Sequence, residues 1–329
     1  MFLMLMYHGF TDKSRHEGIE NYHGKHLYIR RFEEQVIYLK KNYNIIPLSQ
    51  LLAFYHGGKP LPPRCVVITI DDGYRSNYSL AFPVLKKYEA PASIFVSTDF
   101  IDQKSCLWVD RLEYAISQTP RTSLGLMLNG KNLYCTLGEP RTRIKADQHV
   151  KSILKSLPAQ QQEKVLLRIE EFVQKSLAVD SAGDMYAPLS WEQIRQMQAS
   201  GLITIGSHTC SHAILTNCSQ EKIENELSQS KERIEEMTQL SCDYFSYPNG
   251  QRGDFNSATK AALINAGYRC GLTTVIGMND SRSDYYELKR LNIDNGGDLE
   301  GFKRTLSGIG RFLRAVKNGS FFRTQLGNY

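Results

Sequence analysis

Short apolar segments recur along the chain, and polar or amphipathic stretches separate them. The run VVITI at 66–70 is rich in β-branched residues, which is typical of a strand buried on both faces. Six further runs read as strands: FLMLMYH (2–8), ASIFVST (92–98), LITIGSH (202–208), DYFSYP (243–248), YRCGLTT (268–274) and LKRLNI (288–293). The pattern therefore predicts about seven strands.

The stretches between these runs carry the spacing of amphipathic helices. Helices are predicted near 31–43, after an N-cap at Ser219, around 255–266 and from about Asp298 onwards. Strands that alternate with helices indicate a parallel sheet, and this number of strands indicates a barrel. We therefore predict an α/β protein, a distorted (β/α) barrel of about seven strands.

Residues 102–188 interrupt this rhythm. LGLMLNGKNLYCTL looks like a hairpin with Asn129 and Gly130 in a type I′ turn, and helical stretches near 143–156 and 159–176 follow it. Ser190 begins a capping-box pattern that restarts the alternation. We predict a single domain over 1–329, with 102–188 as an α+β insertion, a hairpin plus helices, within it.

The charge balance argues against a nucleic-acid partner. Lysine and arginine number 40 and acids number 34, but residues 301–329 contain basic residues and no acid. The rest of the chain is nearly balanced, so a general nucleic-acid-binding surface is not expected.

Apolar residues at helical spacing over 299–316 predict the last barrel helix. The alternative is peripheral contact of this basic C-terminus with an anionic membrane surface.

The cysteines and the first residues bear on location. Seven scattered cysteines without a C-x-x-C pair favour reduced thiols over a disulfide framework. The run MFLMLMY is too short to span a membrane and lacks the flanks of a secretory signal. If Met1 is the native start, we expect a cytoplasmic protein, working in the cytosol or at the inner face of the membrane.

Two motifs carry the candidate chemistry. Asp71 and Asp72 follow directly on the strand at 66–70, where two adjacent carboxylates are costly unless a cation compensates them. GSHTCSH at 206–212 places His208 and His212 just after another strand, at a spacing that lets both bind one divalent ion. In a β/α barrel the carboxyl ends of the strands form the active-site face, so both motifs are expected there.

This pair of motifs resembles the NodB-type polysaccharide deacetylases, carbohydrate esterase family four. In that family T-F-D-D-G supplies a base and a metal ligand, and H-[ST]-x-x-H supplies two more ligands. TIDDG (69–73) and HTCSH (208–212) correspond to them here. The resemblance implies that Asp71 is the catalytic base and that Asp72, His208 and His212 bind the metal. A divalent ion would also stabilise the two neighbouring carboxylates.

Two family features are missing from their usual places. FSYPNG (245–250) has no arginine before its proline, and no histidine follows His212. The first strand instead ends in MYHGF, similar to a circularly permuted subgroup that acts on poly-N-acetylglucosamine. The resemblance implies His8 as the general acid and Arg290 as the residue that orients the base. Tyr247, before Pro248, is the candidate to offer its backbone N–H to an oxyanion; a plain turn is the alternative.

These residues predict a metal-dependent carbohydrate N-deacetylase. Its substrate would be an acetamido sugar in a bacterial surface polysaccharide or in a lipid-linked precursor. An O-acetyl esterase, a deformylase or a catalytically inactive glycan-binding protein on the same scaffold are the alternatives. Two imidazoles and a carboxylate suit one zinc ion, and cobalt, nickel or iron could also occupy such a site.

Overall fold

A computed structural model describes residues 1–58, 60–128, 131–179, 183, 185–294 and 296–308. The strands are β1 (Leu3–Tyr7), β2 (Gly9–Thr11), β3 (His26–Tyr28), β4 (Asn44–Ile45), β5 (Cys65–Ile70), β6 (Ala92–Val96), β7 (Ser123–Leu128), β8 (Lys131–Thr136), β9 (Ile203–Ser207), β10 (Tyr244–Ser246), β11 (Cys270–Ile276) and β12 (Leu288–Asn292). The helices are α1 (Ile29–Asn42), α2 (Leu48–Tyr55), α3 (Phe82–Lys87), α4 (Thr98–Ile101), α5 (Trp108–Gln118), α6 (Pro140–Lys155), α7 (Ala159–Val173), α8 (Trp191–Ala199), α9 (Gln220–Thr238), α10 (Ser257–Asn265) and α11 (Leu299–Ser307).

Seven strands close into a parallel barrel, which confirms the predicted fold class. The order around the ring is β1, β5, β6, β9, β10, β11 and β12, and β12 pairs with β1 again. All seven contacts are parallel. β4 adds a short parallel pairing at the start of β5. The carboxyl ends of all seven strands therefore lie on one face of the barrel.

Alternation along the strands separates an inner core from an outer one. Val66, Ile68 and Ile70 of β5 pack outward in the cluster that includes the surrounding helices. Val67 packs in a second cluster with residues from other barrel strands. Apolar residues of α2 also belong to this second cluster, so α2 lies against the barrel interior.

The predicted helix starts agree closely with the structure. The side chains of Ser219, Ser190 and Asp298 each cap the helix that follows them. α6 and α7 match the two predicted stretches at 143–156 and 159–176. α5 was not predicted. The proposed turn at 129–130 lies outside the described residues.

Residues 102–188 pack around an apolar cluster of their own. α5, the β7–β8 hairpin, α6 and α7 supply it, and Ile19 from the segment between β2 and β3 joins it. That segment therefore lies between the barrel and the helices of 102–188. The division of 1–329 into one domain with this insertion stays a prediction.

Among the described residues, none of the helices combines the length and apolar character that crossing a bilayer requires. The predicted membrane contact depends largely on residues 309–329, which lie outside the described residues. Both this contact and the cytoplasmic location stay predictions.

Candidate metal centre and active site

Asp72, His208 and His212 meet at the carboxyl-end face of the barrel. Asp72 follows β5 and adopts a φ of 79°, so the alternating inward and outward directions of the β5 side chains do not continue at this residue. Its Oδ1 lies 3.5 Å from His208 Nε2 and 3.4 Å from His212 Nε2. All three side chains are buried. Burial would raise the pKa of Asp72, but its contacts with both imidazoles hold that pKa well below the ordinary range.

Backbone contacts fix the orientation of His208. Its Nδ1 lies 2.7 Å from the carbonyl oxygen of Ser246 on β10, and a carbonyl only accepts, so Nδ1 carries a hydrogen. In the neutral ring, the lone pair is therefore on Nε2, the atom that faces Asp72. The backbone N–H of His208 also donates to Val96 on β6 at 2.9 Å. The histidine is thus placed by three strands before any ligand binds.

These three residues fit a divalent cation. One carboxylate oxygen and two imidazole nitrogens lie within 4.8 Å of one another. This is the donor set of a catalytic zinc site, in which three protein ligands leave a further position open. Asp72, His208 and His212 are the residues that could hold such an ion.

Asp71 lies beside this group and is clamped by Arg290. The guanidinium donates two hydrogen bonds to the carboxylate, from Nη1 to Oδ1 at 2.8 Å and from Nη2 to Oδ2 at 2.7 Å. Arg290 is fully buried and also donates to the Thr69 hydroxyl at 3.1 Å and to the Thr273 carbonyl at 2.8 Å. Burial is the largest single effect and would raise the pKa of Asp71, but the charge and hydrogen bonds of Arg290, together with the charges of His208 and His8, outweigh it and lower that pKa. The carboxylate is held both ionised and oriented.

Strand alternation explains why Arg290 reaches Asp71. Leu288 packs in the inner cluster and Leu291 in the outer one, so Arg290 follows Leu288 on the inward side of β12. Asp71 likewise continues the inward series of Val67 and Thr69. The bidentate pair therefore spans the barrel interior just below its carboxyl-end face.

His8 lines the same cleft as Asp71 and the three candidate metal ligands. It directly follows β1, which lies between β5 and β12 in the ring. Burial lowers the pKa of His8, and the neighbouring carboxylates Asp72 and Asp71 only partly offset this effect. A protonated imidazole at this position would give up its proton readily.

The role predicted for the Tyr247 backbone amide is wrong. Tyr247 lines the cleft, but its N–H donates to the carbonyl oxygen of Leu272 at 2.9 Å. Parallel pairing of β10 with β11 continues beyond Ser246 and uses this donor. The amide therefore cannot also bind an oxyanion unless the pairing opens. The phenol group donates to the carbonyl of Tyr286 at 3.2 Å.

Glu226 was missed by the sequence analysis. It lies on α9, is almost completely buried, and its Oε2 accepts the backbone N–H groups of Cys210 at 2.7 Å and Ser211 at 3.0 Å. These residues lie between the two histidines, in a loop where Thr209 and His212 have φ values of 66° and 58°. A signal was present, because Glu226 lies on the same helical face as the apolar Ile223 and Leu227.

We expect Glu226→Ala to weaken metal binding about 10–100-fold, as changes next to metal ligands commonly do. The loop would lose the acceptor that holds its two amides, so His212 would be less well placed. Titration with zinc against a competing chelator measures this. Glu224→Ala is the matched control, because Glu224 is exposed on the same helix and contacts Gln220. An affinity of folded Glu226→Ala within threefold of the parent would contradict the expectation.

The cleft at this face has a volume of about 410 Å³ and extends beyond the metal centre. Apart from Asp71 and Asp72, five charged residues line it, Lys25, Asp110, Glu113, Lys151 and Lys155, which we call the charged wall. The Lys25 ammonium donates to Asp110 Oδ1 and to the Tyr74 hydroxyl, both at 2.5 Å. No local sequence pattern marks these residues, because their meeting depends on the packing of α5 and α6 against the segment between β2 and β3.

Comparison with known proteins gives the family. A family model described as polysaccharide deacetylase matches residues 58–126 and 138–271. The poly-beta-1,6-N-acetyl-D-glucosamine N-deacetylase of Escherichia coli (strain K12) is 43% identical over 60 residues, which is 18% of this chain. The alignment covers 9% of the E. coli protein, so the chain spans only a small part of this relative.

Solved structures show the same fold. The deacetylase PplD of Streptococcus pyogenes, in complex with acetate, superposes with a TM-score of 0.62 at 18% identity, covering 93% of this chain and 97% of PplD. A de-N-acetylase from Aggregatibacter actinomycetemcomitans gives 0.60 at 18% identity, covering 92% and 99%. The family model spans more than half of the chain and includes both carboxylates and both histidines of the centre. The chain therefore belongs to the polysaccharide deacetylase family.

Proposed function

We propose that the protein is a metal-dependent N-deacetylase that acts on an acetamido sugar of a bacterial surface polysaccharide. The observation that carries the proposal is that two adjacent carboxylates in one cleft contact different kinds of group. Asp72 lies against two imidazoles, whereas Asp71 lies against a buried guanidinium. One carboxylate is thus placed to bind a metal, and its neighbour is left to handle a proton.

The proposed mechanism assigns the proton transfers to residues of the chain. A divalent ion held by Asp72, His208 and His212 would acidify a water molecule and polarise the acetyl carbonyl. Asp71 accepts the proton of the attacking water on Oδ1, which keeps a lone pair beside its bond to Arg290, whereas Oδ2 accepts from both Arg290 and the Ser246 hydroxyl. His8 gives a proton to the departing sugar nitrogen.

Two features favour this reaction over the alternatives considered from the sequence. An amine is a poor leaving group until it is protonated, so a histidine in the cleft suits an amide more than an ester. A glycan-binding protein without catalysis would need no carboxylate in the position of Asp71.

The name of the E. coli relative makes polymers of N-acetylglucosamine the first substrates to test. Zinc is the proposed ion; a lipid-linked form of the substrate stays a further proposal.

Incubation with N-acetylglucosamine oligosaccharides tests the proposal. We expect free acetate together with a sugar product that has lost one acetyl group in mass. Activity should disappear after chelation and return when zinc, cobalt, nickel or iron is added back, and the metal that restores most activity identifies the preferred ion. Absence of acetate release from every acetylated glycan would contradict the proposal, as would full activity in exhaustively chelated protein.

A further inference from the structure

Ser246, the last residue of β10, contacts both the candidate base and a candidate metal ligand. The residue is fully buried. Its hydroxyl oxygen lies 3.2 Å from Asp71 Oδ2 and 2.9 Å from Arg290 Nη2. Its backbone carbonyl oxygen accepts a hydrogen bond from His208 Nδ1 at 2.7 Å. One strand residue therefore connects the base and its guanidinium partner to the metal centre.

The two partners of the Ser246 hydroxyl fix the direction in which it donates. A guanidinium only donates, so Ser246 Oγ accepts from Arg290 and directs its own hydrogen to Asp71 Oδ2. This oxygen also accepts from Arg290 at 2.7 Å, so both of its lone pairs are used. Within the described part of the chain, the side-chain donor to Asp71 Oδ1 is Arg290 alone. The hydroxyl thus leaves Oδ1 as the oxygen that can take a proton.

Strand pairing holds the side chain and the carbonyl of Ser246 in place. β10 lies between β9 and β11, and Phe245 pairs with Ser207 of β9, the residue before His208. Phe245 packs in the outer cluster, so the next side chain, that of Ser246, points into the barrel, toward Asp71. The hydroxyl and the carbonyl therefore extend in two fixed directions from one rigid strand.

We propose that Ser246 is a positioning residue for the deacetylation, which fixes Asp71 relative to His208 and directs the proton to Asp71 Oδ1. This inference rests on the proposed deacetylase function. The base must meet a water molecule at the metal centre, and a misplacement of about 1 Å at a reacting group can cost about a hundredfold in rate. Ser246 acts through Asp71, and a hydrogen bond to an ionised carboxylate is strong enough to hold it.

Ser246→Ala tests the proposal, because it removes the hydroxyl and leaves the backbone carbonyl in place. We expect kcat on N-acetylglucosamine oligosaccharides to fall about tenfold, the size expected for a lost hydrogen bond to a charged group. KM should stay within about twofold, since the bond orients the base and does not hold the substrate. Zinc affinity should stay within about threefold, since His208 keeps its carbonyl partner. Ser246→Thr keeps a hydroxyl and should recover most of kcat.

Ser93→Ala is the matched control. Ser93 lies on β6, is buried, and its hydroxyl has no hydrogen-bond partner among the residues that the structure describes. It pairs with Thr69, two residues before Asp71, so the same substitution is made close to the same centre. This variant should keep the kcat of the parent. A parent-like kcat in folded Ser246→Ala, or an equal loss in Ser93→Ala, overturns the inference, whereas acetate release by the parent leaves the proposed function standing.

Urea denaturation of chelated protein tests the hydrogen bond without any turnover. Ser246→Ala should lower the denaturation midpoint of the parent, and should lower that of the Asp71→Asn protein by less than half as much, because the charged acceptor is then absent. Equal losses in the two backgrounds would mean that the hydroxyl does not act through Asp71, which overturns the inference. This result is independent of whether any acetylated glycan is hydrolysed, and the same curves establish that each variant is folded.

Discussion

Asp71→Asn is expected to reduce deacetylation roughly a thousandfold or more, within the upper range for the loss of a general base. Asparagine has nearly the shape of aspartate and keeps one oxygen for Arg290, but it cannot take a proton from water. The three candidate metal ligands are unchanged, so zinc binding should stay within a few-fold of the parent. Acetate release and zinc titration, measured on the same preparation, check both halves of this expectation.

Asp72→Asn is the matched comparison, because it makes the same chemical change one residue away. The carboxylate of Asp72 lies against both imidazoles, so this variant should lose metal affinity and activity together. The assignment of a base and a ligand to neighbouring positions therefore predicts that both variants lose activity but that only Asp72→Asn loses metal affinity. If Asp71→Asn lost its zinc, or stayed as active as the parent, the assignment would be wrong.

Much of the barrel could be predicted because the relevant signals are local. The β-branched run at 66–70 and similar segments mark the strands, and their alternation with helices requires parallel connections. β2, β3 and α5 were missed, since short pairings and a helix with a mixed charged face depend on neighbours that local patterns do not specify. The shape of the 102–188 segment depends on such contacts throughout.

The residues of the candidate site divide in the same way. The D-D-G and H-x-x-x-H motifs point to Asp71, Asp72, His208 and His212, and the structure brings them together; their catalytic roles stay predictions. Arg290 could be placed because it lies within a recognisable strand. The oxyanion role predicted for the Tyr247 amide is wrong, because this amide donates to Leu272. That hydrogen bond depends on the register of β10 against β11, which the sequence does not reveal. Lys25 and Lys151 both belong to the charged wall although they are far apart in sequence, and no sequence pattern predicts that they line the same cleft.

Arg290→Met is expected to lower the free energy of unfolding by roughly 3–5 kcal/mol, the range for breaking one side of a buried ion pair. Methionine fills part of the space but leaves Asp71 buried with only the Ser246 hydroxyl, at 3.2 Å, as a donor among the side-chain contacts described for it. Urea denaturation of chelated protein at neutral pH measures the change. Arg269→Met is the control, because Arg269 pairs with Asp243 at 3.3 Å and is 49% exposed. Exposed pairs contribute about 0–1 kcal/mol.

The pH dependence distinguishes loss of charge from loss of packing. Arg290 lowers the pKa of Asp71 below its ordinary value of 3.8, so the pair stabilises the parent above that pH and loses its effect as the pH falls through the lowered pKa. Without Arg290, burial raises the pKa of Asp71, and the variant loses stability as the pH rises. The difference between the two proteins should therefore grow from acidic to neutral pH.

A second removal of charge, Asp71→Asn in the Arg290→Met protein, should restore part of the stability at neutral pH, because no buried charge is then unpaired. A difference that is independent of pH and unchanged in the double variant would mean that Arg290 acts through packing alone.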